Sequence, residues 1–117
     1  MSADLLRRAA AKIREIASDA TKGPWGPTAS KYTDGTYHDH VTAEWDIEVD
    51  VCEVPATPQG AWDAEHIALW SPDVAELVAR VLDESAGWCE MYDDPGEAER
   101  VLHAEFALAR RILGEDA

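Results

Sequence analysis

From Glu44 to Cys52 the residue class changes at every step: Trp45, Ile47, Val49 and Val51 alternate with Glu44, Asp46, Glu48, Asp50 and Cys52. Successive side chains of a strand point to opposite faces, so this period of two predicts a half-buried strand with one apolar and one carboxylate face. The start of the chain has a different period. Leu6, Ala9, Ala10, Ile13, Ile16, Ala17 and Ala20 recur every three or four residues, which predicts an amphipathic helix from about Ala3 to Ala20 with Ser2 or Asp4 as N-cap. Lys22-Gly23-Pro24 should end it, with Gly in the left-handed cap and Pro unable to continue the ladder.

Between these elements, Gly23-Pro24-Trp25-Gly26-Pro27 reads as an irregular corner. Thr33-Asp34-Gly35-Thr36 carries a hairpin-turn signal, because Asp-Gly supplies positive φ angles, and its flanks Thr28 to Thr33 and Thr36 to Val41 read as strands. With the alternating segment they make a three-stranded meander. After a Pro55–Gly60 loop, Ala61 to Trp70 reads as a helix that is apolar on both faces, with Ala64, Ile67 and Ala68 on one side and Trp62, His66 and Leu69 on the other. Such a helix is expected to be buried. Ser71-Pro72-Asp73 restarts a helix with the stripe Val74, Leu77, Val78 and Val81. Gly87 to Pro95 reads as a loop, and a last helix runs from about Pro95 to Leu113. The expectation is a single α+β domain over 1–117, with a small, about three-stranded antiparallel sheet packed against three or four helices.

Length and composition fit that class. The chain has 117 residues and 46% hydrophobic content, enough for a modest core. Two cysteines make no disulfide framework, no apolar run approaches a bilayer span, and Met1-Ser2-Ala3-Asp4-Leu5 lacks the pattern of a signal peptide. A cytoplasmic location and no membrane association are expected.

Net charge is the strongest functional pointer. The formal value is -14, and from Tyr32 to Ala79 there are eleven carboxylates and no Lys or Arg. Such a field repels nucleic acid and favours basic partners or cations. Glu44, Asp46, Glu48 and Asp50 share one face of the expected strand, forming a row of like charges that needs water, a cation or a basic partner. An edge strand protected by charge would look the same.

Two segments also match something known. Ala20-Thr21-Lys22-Gly23-Pro24-Trp25 follows an Ala-rich helix, and Asp63-Ala64-Glu65-His66-Ile67-Ala68 precedes Ser71-Pro72 and another helix. Together they resemble small proteins of unknown function from actinobacteria and their phages, with a Thr-x-Gly-Pro-Trp corner and an Asp-Ala-x-His-Ile-Ala helix. The resemblance spans roughly Leu5 to Leu82. It implies a shared architecture and a phage or prophage setting, and no catalytic residues.

Three other constellations are candidates. Trp25, Trp62, His66 and Trp70 could line a cleft for a ring, a nucleotide or a peptide, or simply fill the space between sheet and helices. His38 and His40, two apart on a strand, would point the same way and offer two ligands to a divalent metal, although no third ligand stands at a recognisable spacing. Glu105 falls in the apolar arc of the last helix and is expected to pair with an Arg of the first, or to sit at a seam between copies formed by the terminal helices. No phosphate loop, nucleophile elbow or supported Cys-His pair is present, so neither catalysis nor a cofactor is implied. The leading expectation is an accessory protein that binds a basic or mixed-charge host protein through its acidic face. The alternatives are a small-ligand binder and a metal binder.

Overall fold

The computed structural model describes residues 2–29 and 36–115. Its elements in chain order are α1 (Ser2–Asp19), β1 (Trp25–Thr28), β2 (His40–Ala43), β3 (Asp46–Glu53), α2 (Pro58–Leu69), α3 (Pro72–Cys89), α4 (Pro95–Val101) and α5 (His103–Leu113). The fold is α+β. Its three strands form an antiparallel sheet in the order β1-β2-β3. The Asp34-Gly35 turn lies outside the described residues. Residue contacts divide the chain into two compact units, one of residues 1–17 and 75–117, the other of residues 18–74.

The first unit is helical. Leu6, Ala9 and Ala10 of α1 meet Ala79, Leu82, Ala86 and Cys89 of α3, Ala98 of α4, and Phe106 and Ala109 of α5 in one buried cluster. Six of these ten buried side chains are alanine. Charged pairs tie the rim. Arg14 of α1 grips both oxygens of Glu76 at 3.0 and 3.3 Å and reaches Asp83 at 2.6 Å. Arg7 pairs with Glu90, and Arg8 with Asp4 and Glu115. The arginines of α1 thus go to other carboxylates than Glu105, which is half-buried on α5.

Helix boundaries in and around this unit depart from the sequence reading in three places. α1 ends at Asp19, within one residue of the expected end, but Gly23 is not its left-handed cap, since it has no positive φ. Gly23 serves instead as a gap, since a Cβ there would lie 2.6 Å from Asp73 Oδ1 and 3.2 Å from Ser71 Cβ. α3 runs through Gly87 to Cys89, shortening the expected loop, and buries Ala79, Leu82, Ser85, Ala86 and Cys89. Leu77 and Val81 of the predicted stripe are therefore exposed, together with Trp88. The single C-terminal helix breaks at Leu102 (φ -101, ψ 36), giving α4 and α5, which Arg110 bridges through Glu99 at 2.7 Å.

The second unit holds the sheet and α2. Val41 of β2 and Ala64 and Ala68 of α2 form its buried centre, flanked by Trp25, Val51, Cys52, Val54 and Ile67. β1 starts at Trp25, inside the expected corner, and β2 starts only at His40, later than the Thr36 of the sequence reading. α2 opens on a firm cap: the Thr57 hydroxyl accepts the Gly60 N–H at 3.0 Å, with Pro58 in the first turn. Gly60 sits so close to the preceding loop that a Cβ would fall 1.7 Å from the Pro55 carbonyl oxygen. α2 therefore begins at Pro58, inside the segment expected to be loop.

β3 is less regular than its sequence. Glu44 and Trp45 form a two-residue turn that pairs Ala43 with Asp46, while the next pairs are Thr42 with Asp50 and Val41 with Cys52. Neither turn residue has positive φ, so the turn lacks the twist of the primed hairpin turns. The register shifts beside it, and Ile47 through Val49 oppose no residue of β2. The apolar face expected for this strand is accordingly uncovered at its start, with Trp45 56% and Ile47 67% exposed.

Candidate functional site

The four strand carboxylates are all exposed, but the shifted register sends them to different neighbours. Glu44 lies in the turn, its side chain folded over Gly26 of β1, where an added Cβ would come within 3.2 Å of it. Asp46 accepts the Glu48 N–H at 3.0 Å, a local cap that shapes the turn. Asp50 Oδ1 lies 3.5 Å from His40 Nδ1. Glu48 stands exposed among them. The result is an acidic tip around one hairpin rather than a straight row. Trp45 is the tip's fixed point, because its indole N–H donates to the Lys22 carbonyl at 2.8 Å while much of the ring stays in water.

The tryptophan candidates divide between two sides of α2. Trp25 is half-buried against the Val41, Ala64 and Ala68 centre and donates its indole N–H to the Thr21 carbonyl at 2.8 Å. Trp62, His66 and Trp70 are exposed. At 3.6 residues per turn, Gly60, Ala64 and Ala68 take one side of the helix and Trp62, His66 and Leu69 the opposite one. The helix expected to be buried on both faces is thus buried on one, and Trp25 does not join the other three in a cleft. Asp63 and Glu65 flank the exposed stripe on either side, Asp63 accepting from Gln59 at 3.1 Å.

The histidine pair is also split. His38 is exposed and precedes β2, whereas His40 is half-buried on β2 between Asp39, at 3.9 Å, and Asp50. Among the described residues no group of three or more His, Cys, Asp or Glu is placed to hold a metal ion. No described helix is long and apolar enough to cross a membrane.

Both thiols are free. Burial pushes the Cys89 thiol up, with Glu90 and Glu99 adding to the rise. Arg14 is held well above the ordinary guanidinium range, chiefly by its hydrogen bonds to Glu76 and Asp83.

Two surfaces are therefore defined, an acidic hairpin tip and an aromatic face on α2, both within residues 18–74. Trp62, His66 and Trp70 of the second are sequence candidates, but its exposure was hidden by its apolar composition. Its signal was the placement of Asp63 and Glu65 on the two borders of Trp62, His66 and Leu69, a pattern that suits a helix half in water. No protein-family model, curated protein or solved structure matches the chain.

Proposed function

We propose that this protein is a non-catalytic accessory factor that binds a basic or mixed-charge host protein, in a phage or prophage setting suggested by the two motif segments. One observation carries the reading. The hairpin tip exposes Glu44, Asp46, Glu48 and Asp50 beside Trp45 and Ile47, in a stretch without Lys or Arg from Tyr32 to Ala79. Exposed carboxylates around exposed apolar side chains suit a partner that brings both positive charge and apolar surface.

The test is capture of host proteins on the immobilised chain at about 0.05 M and about 0.5 M salt, where screening lengths differ severalfold. A stoichiometric basic protein should bind at low salt and leave at high salt. The triple variant Glu44→Lys, Asp46→Lys, Glu48→Lys should not retain it. A partner that ignores both salt and charge reversal would reject the acidic tip as the contact.

A further inference from the structure

We propose that the outer face of α2 is a second docking surface, and that its occupant is an amphipathic helix rich in arginine. The inference rests on the basic-partner reading above and adds a place and a shape to it.

The face is apolar where a helix of this length is normally polar. Trp62 and Leu69 are 64% and 60% exposed, and they lie with His66 within about 60° of arc, directly opposite the buried alanines. Trp70 extends the stripe past the end of the helix, its ring tilted at 58° to that of His66 and 6.4 Å from it. From Trp62 to Trp70 the stripe is about 12 Å long at the helical rise. That is a ridge rather than a pocket, and a ridge of this length packs against two or three turns of another helix.

Charge selects the occupant. Glu65 runs along one border of the stripe and Asp63 along the other, and both are exposed. An incoming helix that places Leu-type side chains on Trp62 and Leu69 would carry its flanking residues over these carboxylates. Arginine suits those positions better than lysine. Its planar guanidinium pairs with a carboxylate through two parallel hydrogen bonds and stacks on indole faces, and Trp is the best cation–π acceptor among side chains. A second copy of this chain is a poor occupant, because it would bring the same carboxylates to the same borders.

The probe is a synthetic helical peptide of about 18 residues, five turns, with Leu on one face and Arg on its flanks. Binding is followed by the indole N–H signals of the 15N-labelled chain at about 0.15 M salt. The signals of Trp62 and Trp70 should move on titration, while that of Trp25, bonded to Thr21, stays in place. Trp62→Ala combined with Leu69→Ser should weaken the peptide at least about tenfold. These side chains are exposed, so the variant should keep the native spectrum elsewhere. Replacing the peptide's Leu by Ser, or its Arg by Glu, should abolish binding.

Failure of the peptide to bind, or movement confined to Trp45, overturns the α2 surface and leaves the acidic-tip reading to the lysate capture. Equal binding of the Leu-to-Ser peptide overturns it too, since charge alone would then suffice. A concentration-dependent dimer abolished by the same double substitution would assign the face to self-association instead.

Discussion

His66 and Trp70 stand one helical turn apart on the solvent side of α2, their ring centroids separated by 6.4 Å. Neither ring contributes to the buried centre of its unit, which consists of Val41, Ala64 and Ala68. Stability and the proposed binding should therefore be separable on this helix. Trp62→Ala, His66→Ala and Leu69→Ser should each change unfolding free energy by less than about 0.5 kcal/mol in urea denaturation. Phe106→Ala, at a buried site of the helical unit, should cost about 3–5 kcal/mol by the same measurement.

The backbone at the entry to α2 is tightly constrained. A methyl group at Gly60 would overlap the Pro55 carbonyl oxygen, which cannot retreat as a flexible side chain could. Gly60→Ala should destabilise by about 1–3 kcal/mol or more, the range of overpacking. Thr57→Ala removes only the cap on the Gly60 N–H and should cost about 1 kcal/mol. Thermal unfolding of the two variants should rank them in that order.

Arg14 joins α1 to two carboxylates of α3 through three hydrogen bonds. Lysine at this position keeps the charge but cannot span Glu76 and Asp83 with a planar fork. Arg14→Lys should lower the melting temperature, and Arg14→Met should lower it further. Added salt should narrow the gap between the native protein and the Arg14→Met variant, because the pairs are partly exposed.

Cys89 and Cys52 should differ in reactivity. Cys89 is buried and its thiol is pushed up, whereas Cys52 is half-buried on β3. At neutral pH a thiol reagent should label Cys52 first and Cys89 only on unfolding. Linkage gives the sign of the stability effect. The folded state holds the Cys89 proton more tightly than the unfolded chain, so this contribution is complete below the ordinary thiol value of 9.0 and is lost as pH rises above it. Cys89→Ala should flatten the alkaline limb of a stability–pH profile.

Much of the architecture is legible in the sequence because local period and burial agree. Leu6, Ala9 and Ala10 repeat at helical spacing and do face the helical core, and Ser71-Pro72 does open α3. Legibility fails where alternation and register part company. Trp45 through Val51 keeps period two, yet a turn at Glu44-Trp45 and the shifts beside it uncover Ile47 and scatter the carboxylates. No residue there has the φ preference that normally marks a hairpin turn. Leu102 is another such case, because the apolar spacing of the last helix continues across a break that only its dihedrals reveal. Trp62, His66 and Trp70 of the outer face of α2 are legible as candidates, but their exposure is not, because apolar composition predicts burial and cannot say whether the covering surface belongs to the same chain.

The helical core is built mainly of fully buried alanines: Ala9, Ala10, Ala79, Ala86, Ala98 and Ala109. Trimming such a side chain to glycine removes a single methyl, while enlarging it forces two backbones apart. Sequence drift in this protein is thus hemmed in from one side. Neighbouring sequences that keep the fold should conserve smallness at these six positions more strictly than they conserve hydrophobicity on the outer helix faces, where the choice of side chain answers to whatever the surface must meet.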